Sequence, residues 1–118
     1  MNIKALGYVA IESTDPEKWR HFATDVVGMM AAPGMPDAEG GDLFFKMDEH
    51  PWRIRIFKGE QDRLAIAGWE VENEADFNQA IKELEANDVA CEFGSKIECD
   101  DRRVKNFVRF NDPAGGQL

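Results

Sequence analysis

Two stretches of the chain show the same succession of hydrophobic rhythms. Over 4–13, Val9 and Ile11 alternate with Tyr8, Ala10 and Glu12, the period-two pattern of a strand with two different faces. Thr14-Asp15-Pro16-Glu17 predicts a helix start, with Asp15 as the capping acceptor and Pro16 at the first helical position. Trp19, Phe22, Ala23 and Val26 follow at i, i+3, i+4 and i+7 as one apolar stripe, and Gly28 supplies a stop. When Tyr8 is laid over Ile66 the succession recurs. Glu12 falls on Glu70, Asp15 on Asn73, Trp19 on Phe77 and Val26 on Leu84. The pattern predicts a strand at 64–71, a cap at Asn73, a helix with Phe77, Ala80, Ile81 and Leu84 inward, and a stop at Asn87-Asp88.

Shorter strand candidates follow each helix, at 29–32, 42–47 and 52–57 and again at 90–94, 104–110 and from Gln117. The Pro/Gly-rich stretch 33–41 reads as a loop. Each half is thus a β-α-β-β-β unit, unit one about 1–60 and unit two about 61–118, within a single domain. Neither could bury its sheet face alone. The predicted fold is α+β, tandem βαβββ units forming a cupped mixed sheet with helices outside. The turn at Asp48 leads into a full strand. Its counterpart, Asn111 to Gly116, leads only into Gln117-Leu118. The repeat therefore predicts a truncated last strand, in a piece of a longer protein or in a chain with an unusually short final strand.

Period-two alternation turns Val9, Ile11, Ile54, Ile56, Trp69, Val71, Val108 and Phe110 toward the helices. It leaves Tyr8, Glu12, Arg53, Arg55, Ile66, Glu70, Phe107 and Arg109 facing the cup. Arginine forks there could present paired donors to an anion or polar ligand. Alternatively, the two glutamates neutralise the three arginines in a network that fills the cup, and the presence of both signs favours this reading.

Composition narrows the partners. Of 118 residues 43% are hydrophobic and 31% charged, an ordinary globular mix. Fourteen Lys+Arg against 23 Asp+Glu give a net charge of −9, with a pI near 4.6. That argues against nucleic-acid and anionic-membrane partners, which need clustered cations. Neither a membrane-length apolar run nor a signal-peptide core is present. Cys91 and Cys99 match no common zinc spacing and fit free thiols in a reducing cytoplasm, Cys91 in the core and Cys99 more exposed. His21 falls off the apolar stripe and His50 lies in a turn, neither with carboxylate partners at ligand spacing. The run from Glu98 to Arg103 reads as a solvated mixed-charge loop, and Trp52 as packing or a contact residue.

Several motifs in order, Leu6-Gly7-Tyr8-Val9, Asp15-Pro16-x-x-Trp19, Gly59-Glu60-x-Asp62-Arg63-Leu64, Ala67-Gly68-Trp69-Glu70 and Arg109-Phe110-x-Asp112-Pro113-x-Gly115, carry a family resemblance. The chain resembles the vicinal-oxygen-chelate superfamily (glyoxalase I, bleomycin-resistance proteins, type I extradiol dioxygenases). It is most similar to the N-terminal domain of extradiol catechol dioxygenases of the steroid-catechol and dihydroxybiphenyl branch. The resemblance implies a non-catalytic domain partnered by its own C-terminal domain, absent from these residues. That domain would hold Fe(II) through two histidines and a glutamate and insert both atoms of O₂ beside the diol of a catechol in aromatic or steroid degradation. It further implies a homo-oligomer. The family's ligand places fall on Tyr8, Arg55 and Ile66, which make no metal site, so no metal is expected on residues 1–118 and no catalytic residue. The alternative is a stand-alone metal-free binding protein for a small aromatic or polar ligand. A glyoxalase-type isomerase lacks its histidines.

Overall fold

The computed structural model describes residues 1–32 and 42–118, so the loop read at 33–41 lies outside the described residues. The elements are β1 (Ile3–Ser13), α1 (Pro16–His21), β2 (Met30–Ala31), β3 (Leu43–Lys46), β4 (Ile54–Lys58), β5 (Arg63–Val71), α2 (Glu74–Ala86), β6 (Glu92–Phe93), α3 (Lys96–Arg102) and β7 (Val108–Arg109). The succession strand, helix, three strands occurs as the hydrophobic rhythm predicts, and then begins again at β5. By contacts the chain divides into Gly7–Ala67 and a second unit made of Met1–Leu6 with Gly68–Leu118.

In Gly7–Ala67 the strands belong to a sheet ordered β2-β3-β4-β1-β5. β1 and β4 run parallel, with Val9 opposite Ile54, Ile11 opposite Ile56 and Ser13 opposite Lys58. β3 lies antiparallel to β4, pairing Phe44 with Arg55 and Phe45 with Ile54. Opposed residues share a face, so Ile11, Ile54 and Ile56 point the same way. Ala23, Leu43, Phe45 and Ile56 form the buried cluster there, with Trp19, Ile11, Met29 and Ile54 packed against it. Phe45 and Ile56 are at most 1% exposed, and burying each contributes roughly 1.5–3 kcal/mol.

The first helix departs from its predicted stripe. Asp15 makes no side-chain cap, and after His21 the helix widens to π geometry over Phe22–Val27, ending at Gly28 with φ 85°. Met29 N and Gly28 N both return to Ala23 O. The wider turn changes the angle per residue. Ala23 stays inward, 1% exposed, whereas Phe22 and Val26, expected in the core, are 48% and 64% exposed.

In the second unit, Asn73 Oδ1 accepts from Asp76 N at 2.9 Å and starts α2, which turns Ala80 and Ile81 inward. The first residues of β1 are tied to this unit. Lys4 Nζ meets Glu72 at 2.9 Å, and the Met1 ammonium meets Glu83 at 2.5 Å. β6 and β7 pair antiparallel in a separate two-stranded sheet, Glu92 with Arg109 and Phe93 with Val108.

Three expectations are corrected here. The run from Glu98 to Arg103 is not a loop: Lys96–Arg102 is helical. Ser95 Oγ accepts from Glu98 N while Glu98 Oε2 accepts from Ser95 N, a reciprocal capping box. Cys99 is consequently buried at 6% exposure, rather than exposed, while Cys91 is half-buried. Trp69, expected against a helix, is 51% exposed. Replacing Ser95 by Ala is expected to cost about 1 kcal/mol and to speed reaction of Cys99 with a thiol reagent. Chemical denaturation and thiol-labelling rates check both; unchanged values would mean that packing, not the cap, holds α3.

Candidate functional site

β1 and β4 present their second face through Tyr8, Ala10 and Glu12 and through Arg53, Arg55 and Phe57, since Ala10 stands opposite Arg55 and Glu12 opposite Phe57. These are the cup-facing positions of the first half. Their electrostatics differ from the expected pairing of glutamate with arginine. Arg55 donates through Nε and Nη2 to Asp42 Oδ2, at 2.9 and 2.5 Å. Arg53 Nε meets Asp48 Oδ2 at 2.9 Å, and its Nη1 donates to Gly7 O at 2.7 Å. Glu12 turns instead to Gln61 N (3.1 Å) and Arg63 Nε (3.4 Å). A Cβ at position 59 would run into the Glu12 side chain, so the present placement of that side chain depends on Gly59.

Aromatic rings fill the space between these ion pairs. Trp52, 2% exposed, meets Tyr8 edge-on at a centroid distance of 5.1 Å and Phe44 at 5.4 Å. The Arg55 guanidinium lies 5.8 Å from the ring centres of Phe44 and Phe57. Offset and edge contacts of this kind contribute about 0.5–1.5 kcal/mol per aromatic pair and about 0.5–1 kcal/mol per exposed cation–π pair. Trp52 is therefore a packing residue. Asp42, Phe44 and Asp48 are the site residues that sequence reasoning missed. Asp42 and Phe44 were findable: period-two spacing along β3 puts both on the face of Arg55.

Glu70, Phe107 and Arg109 lie in the second unit, each in surroundings of its own. Arg109 Nη1 donates to Glu98 Oε1 and Nη2 to Glu92 Oε1, both at 2.6 Å. The partners are thus Glu92 and Glu98, not Glu70, which has interactions of its own. Phe107 lies under the Arg102 guanidinium, 4.0 Å from its ring centre, and against Gly94, where a Cβ would strike the ring. The Ser95 N–H and then Arg109 hold the Glu98 carboxyl down at about 2. Glu92 is lowered by its hydrogen bond from Arg109, and Arg109 itself is raised by Glu92 and Glu98.

At the three positions where the resemblance implies ligand places, the side chains do not suit a metal. Tyr8 packs on Trp52, Arg55 is a cation bound to Asp42, and Ile66 has no donor atom. Among the described residues no three His, Cys, Asp or Glu side chains converge as a metal cluster would require. His21 does have a carboxylate at helical spacing, contrary to expectation. Its Nδ1 lies 2.7 Å from Asp25 Oδ2, both exposed. At the β1–α1 junction, Trp19, Phe22, Lys18 and Asp62 line a cleft of about 340 Å³. Asp62 there already accepts from Thr14 N and Oγ1, and these bonds keep its carboxyl below the usual range. No helix among the described residues is long and apolar enough to cross a membrane.

Residues 6–59 match the family described as dihydroxybiphenyl dioxygenase BphC D1. The whole chain is 40% identical to an iron-dependent extradiol dioxygenase of Rhodococcus jostii RHA1, of which it spans 38%. Over 98% of its length it is 37% identical to a biphenyl-2,3-diol 1,2-dioxygenase of Paraburkholderia xenovorans LB400, again spanning 37% of that protein. The crystal structure of BphC, a halotolerant catechol dioxygenase, superposes with a TM-score of 0.89 at 22% identity, covering 98% of this chain and 38% of the other. The chain therefore spans well under half the length of the curated relatives it matches. In sequence and in fold it is similar to the N-terminal part of extradiol dioxygenases.

The depressed carboxyls give a signed pH prediction. Glu98 ionises near 2 when folded and near 4.3 when unfolded. Its contribution is fully present above the unfolded value and is lost as pH falls from about 4.5 toward 2. The denaturant midpoint should drop across that window, and Glu98→Gln should flatten the drop. An equally steep drop in the variant would assign it to other carboxylates.

Proposed function

We propose that this chain is the non-catalytic N-terminal domain of an Fe(II)-dependent extradiol dioxygenase that cleaves a catechol in aromatic or steroid degradation. The observation that carries the reading is the occupancy of the ligand places. They hold a packed tyrosine, an aspartate-bound arginine and an isoleucine, on a fold matched along its whole length by the front of such enzymes. Iron chemistry would then belong to residues beyond these 118, and the metal would offer open positions to a catecholate and O₂ there.

Within this reading, Tyr8, Glu12, Arg53, Arg55, Glu70, Phe107 and Arg109 serve the fold, not a substrate. Each arginine fork is engaged by a carboxylate of its own neighbourhood, which disfavours the alternative of a binding protein for a small polar ligand. The partners are the catalytic domain of the same chain and further copies of it. The two free cysteines suit a reducing cytoplasm.

Metal analysis separates the readings. The full-length protein should hold iron in stoichiometric amount and cleave a catechol, and Tyr8→Phe should leave its iron content unchanged. The 118-residue chain should bind none under the same conditions. Stoichiometric iron on residues 1–118, or its loss with Tyr8→Phe, would contradict the assignment.

A further inference from the structure

The cleft at the β1–α1 junction lies outside the arginine pairs and measures about 340 Å³, room for one small ring. Its apolar wall is Trp19 and Phe22, whose rings meet edge-on with centroids 5.7 Å apart and planes at 86°. The π turn leaves Phe22 48% exposed here instead of burying it in the core. A third ring can extend such a pair.

Ser13 sets the polar requirement. It lines the cleft and is 3% exposed. Its Oγ accepts from Asp15 N at 3.1 Å, and among the described residues nothing accepts its hydroxyl hydrogen. A buried donor without an acceptor is rare in folded proteins and unfavourable. Asp15 is in the reverse position. It makes no side-chain cap for α1, and its carboxylate has only Lys18 Nζ, 3.9 Å away. Asp62, the other carboxylate of the cleft, is already taken by Thr14 N and Oγ1. The cleft therefore offers a donor at Ser13 and an acceptor at Asp15. A hydroxyl group answers both, since it accepts and donates. A charged ligand is met by its own sign, an anion by Asp15 and Asp62 and a cation by Lys18.

We propose that this cleft is a binding site for a small uncharged phenol. The ring lies against Trp19 and Phe22, and the hydroxyl accepts from Ser13 Oγ and donates to the Asp15 carboxylate. Every residue of the site belongs to the Gly7–Ala67 unit, so the assignment does not depend on the reading given above for iron chemistry.

Titration with phenol tests it, read by fluorine NMR of the protein labelled with fluorotryptophan. The Trp19 resonance, assigned by its loss in Trp19→Phe, should shift saturably with half-saturation on the order of 1 mM, while that of Trp69 stays in place. Ser13→Ala should weaken binding about 5-fold, the loss of one hydrogen bond. Asp15→Ala and Phe22→Ala, at exposed positions that the fold does not need, should weaken it comparably. Cyclohexanol, which has the hydroxyl without the aromatic ring, should bind less tightly than phenol, and benzoate and benzylamine less tightly again. A Trp19 resonance that stays in place up to the solubility limit of phenol overturns the proposal. So does benzoate, benzylamine or cyclohexanol binding as tightly as phenol, and so does an affinity unchanged by both Asp15→Ala and Phe22→Ala.

Discussion

The parallel ladder between β1 and β4 is the constraint from which the Gly7–Ala67 unit follows. With Val9 opposite Ile54 and Ile11 opposite Ile56, the ladder commits Ile11, Ile54 and Ile56 to the buried cluster with Ala23 and Phe45. The intervening residues, Tyr8, Glu12, Arg53 and Arg55, are sent to the other face by the same pleat. A slip of β4 by one residue would bring Arg53 and Arg55 to the places of Ile54 and Ile56 in the core. The polar face is thus a geometric consequence of the apolar one, and its chemistry is settled by what packs beside it.

What packs beside it leaves no arginine uncompensated. On this face Arg55 has Asp42 and two aromatic rings, and Arg53 has Asp48 and a backbone carbonyl. Removing one member of such a pair leaves a partly buried charge, so these residues hold each other in place. Tyr8 and Arg55, two of the places where the family resemblance implies a metal ligand, are taken up in this packing. The likeness to the front of iron-dependent ring-cleaving enzymes and the chemistry of Tyr8, Arg55 and Ile66 therefore point the same way.

Much of the fold is legible in the sequence because the signals are periodic. The long strands β1 and β5 and the helix α2 emerge from alternation, from the Asn73 cap and from the Phe77 to Leu84 stripe. Where the backbone departs from ideal periodicity, or the mark of an element is not periodic, the pattern misleads. The π turn after His21 moves Phe22 and Val26 out of a stripe that ideal helical spacing would bury. The charge-rich run from Glu98 hid a helix whose mark was Ser95-x-x-Glu98, a capping box rather than a hydrophobic pattern. Of the site, the face of each residue in the first half was readable from parity. The choice of partners was not. Charge alone assigned the glutamates to the arginines, but Gly59 lets the Glu12 carboxylate fold toward Gln61 and Arg63, and the β3–β4 register brings Asp42 to Arg55.

The claim that this face is a structural network is tested most directly by a double-mutant cycle on Asp42 and Arg55, read as unfolding free energy. Asp42→Ala and Arg55→Ala should each destabilise the protein, and the double variant should lose less than their sum, with a coupling of about 1 kcal/mol. Independent effects, or an Arg55→Ala variant as stable as the parent, would contradict the account and return Arg55 to the service of a ligand.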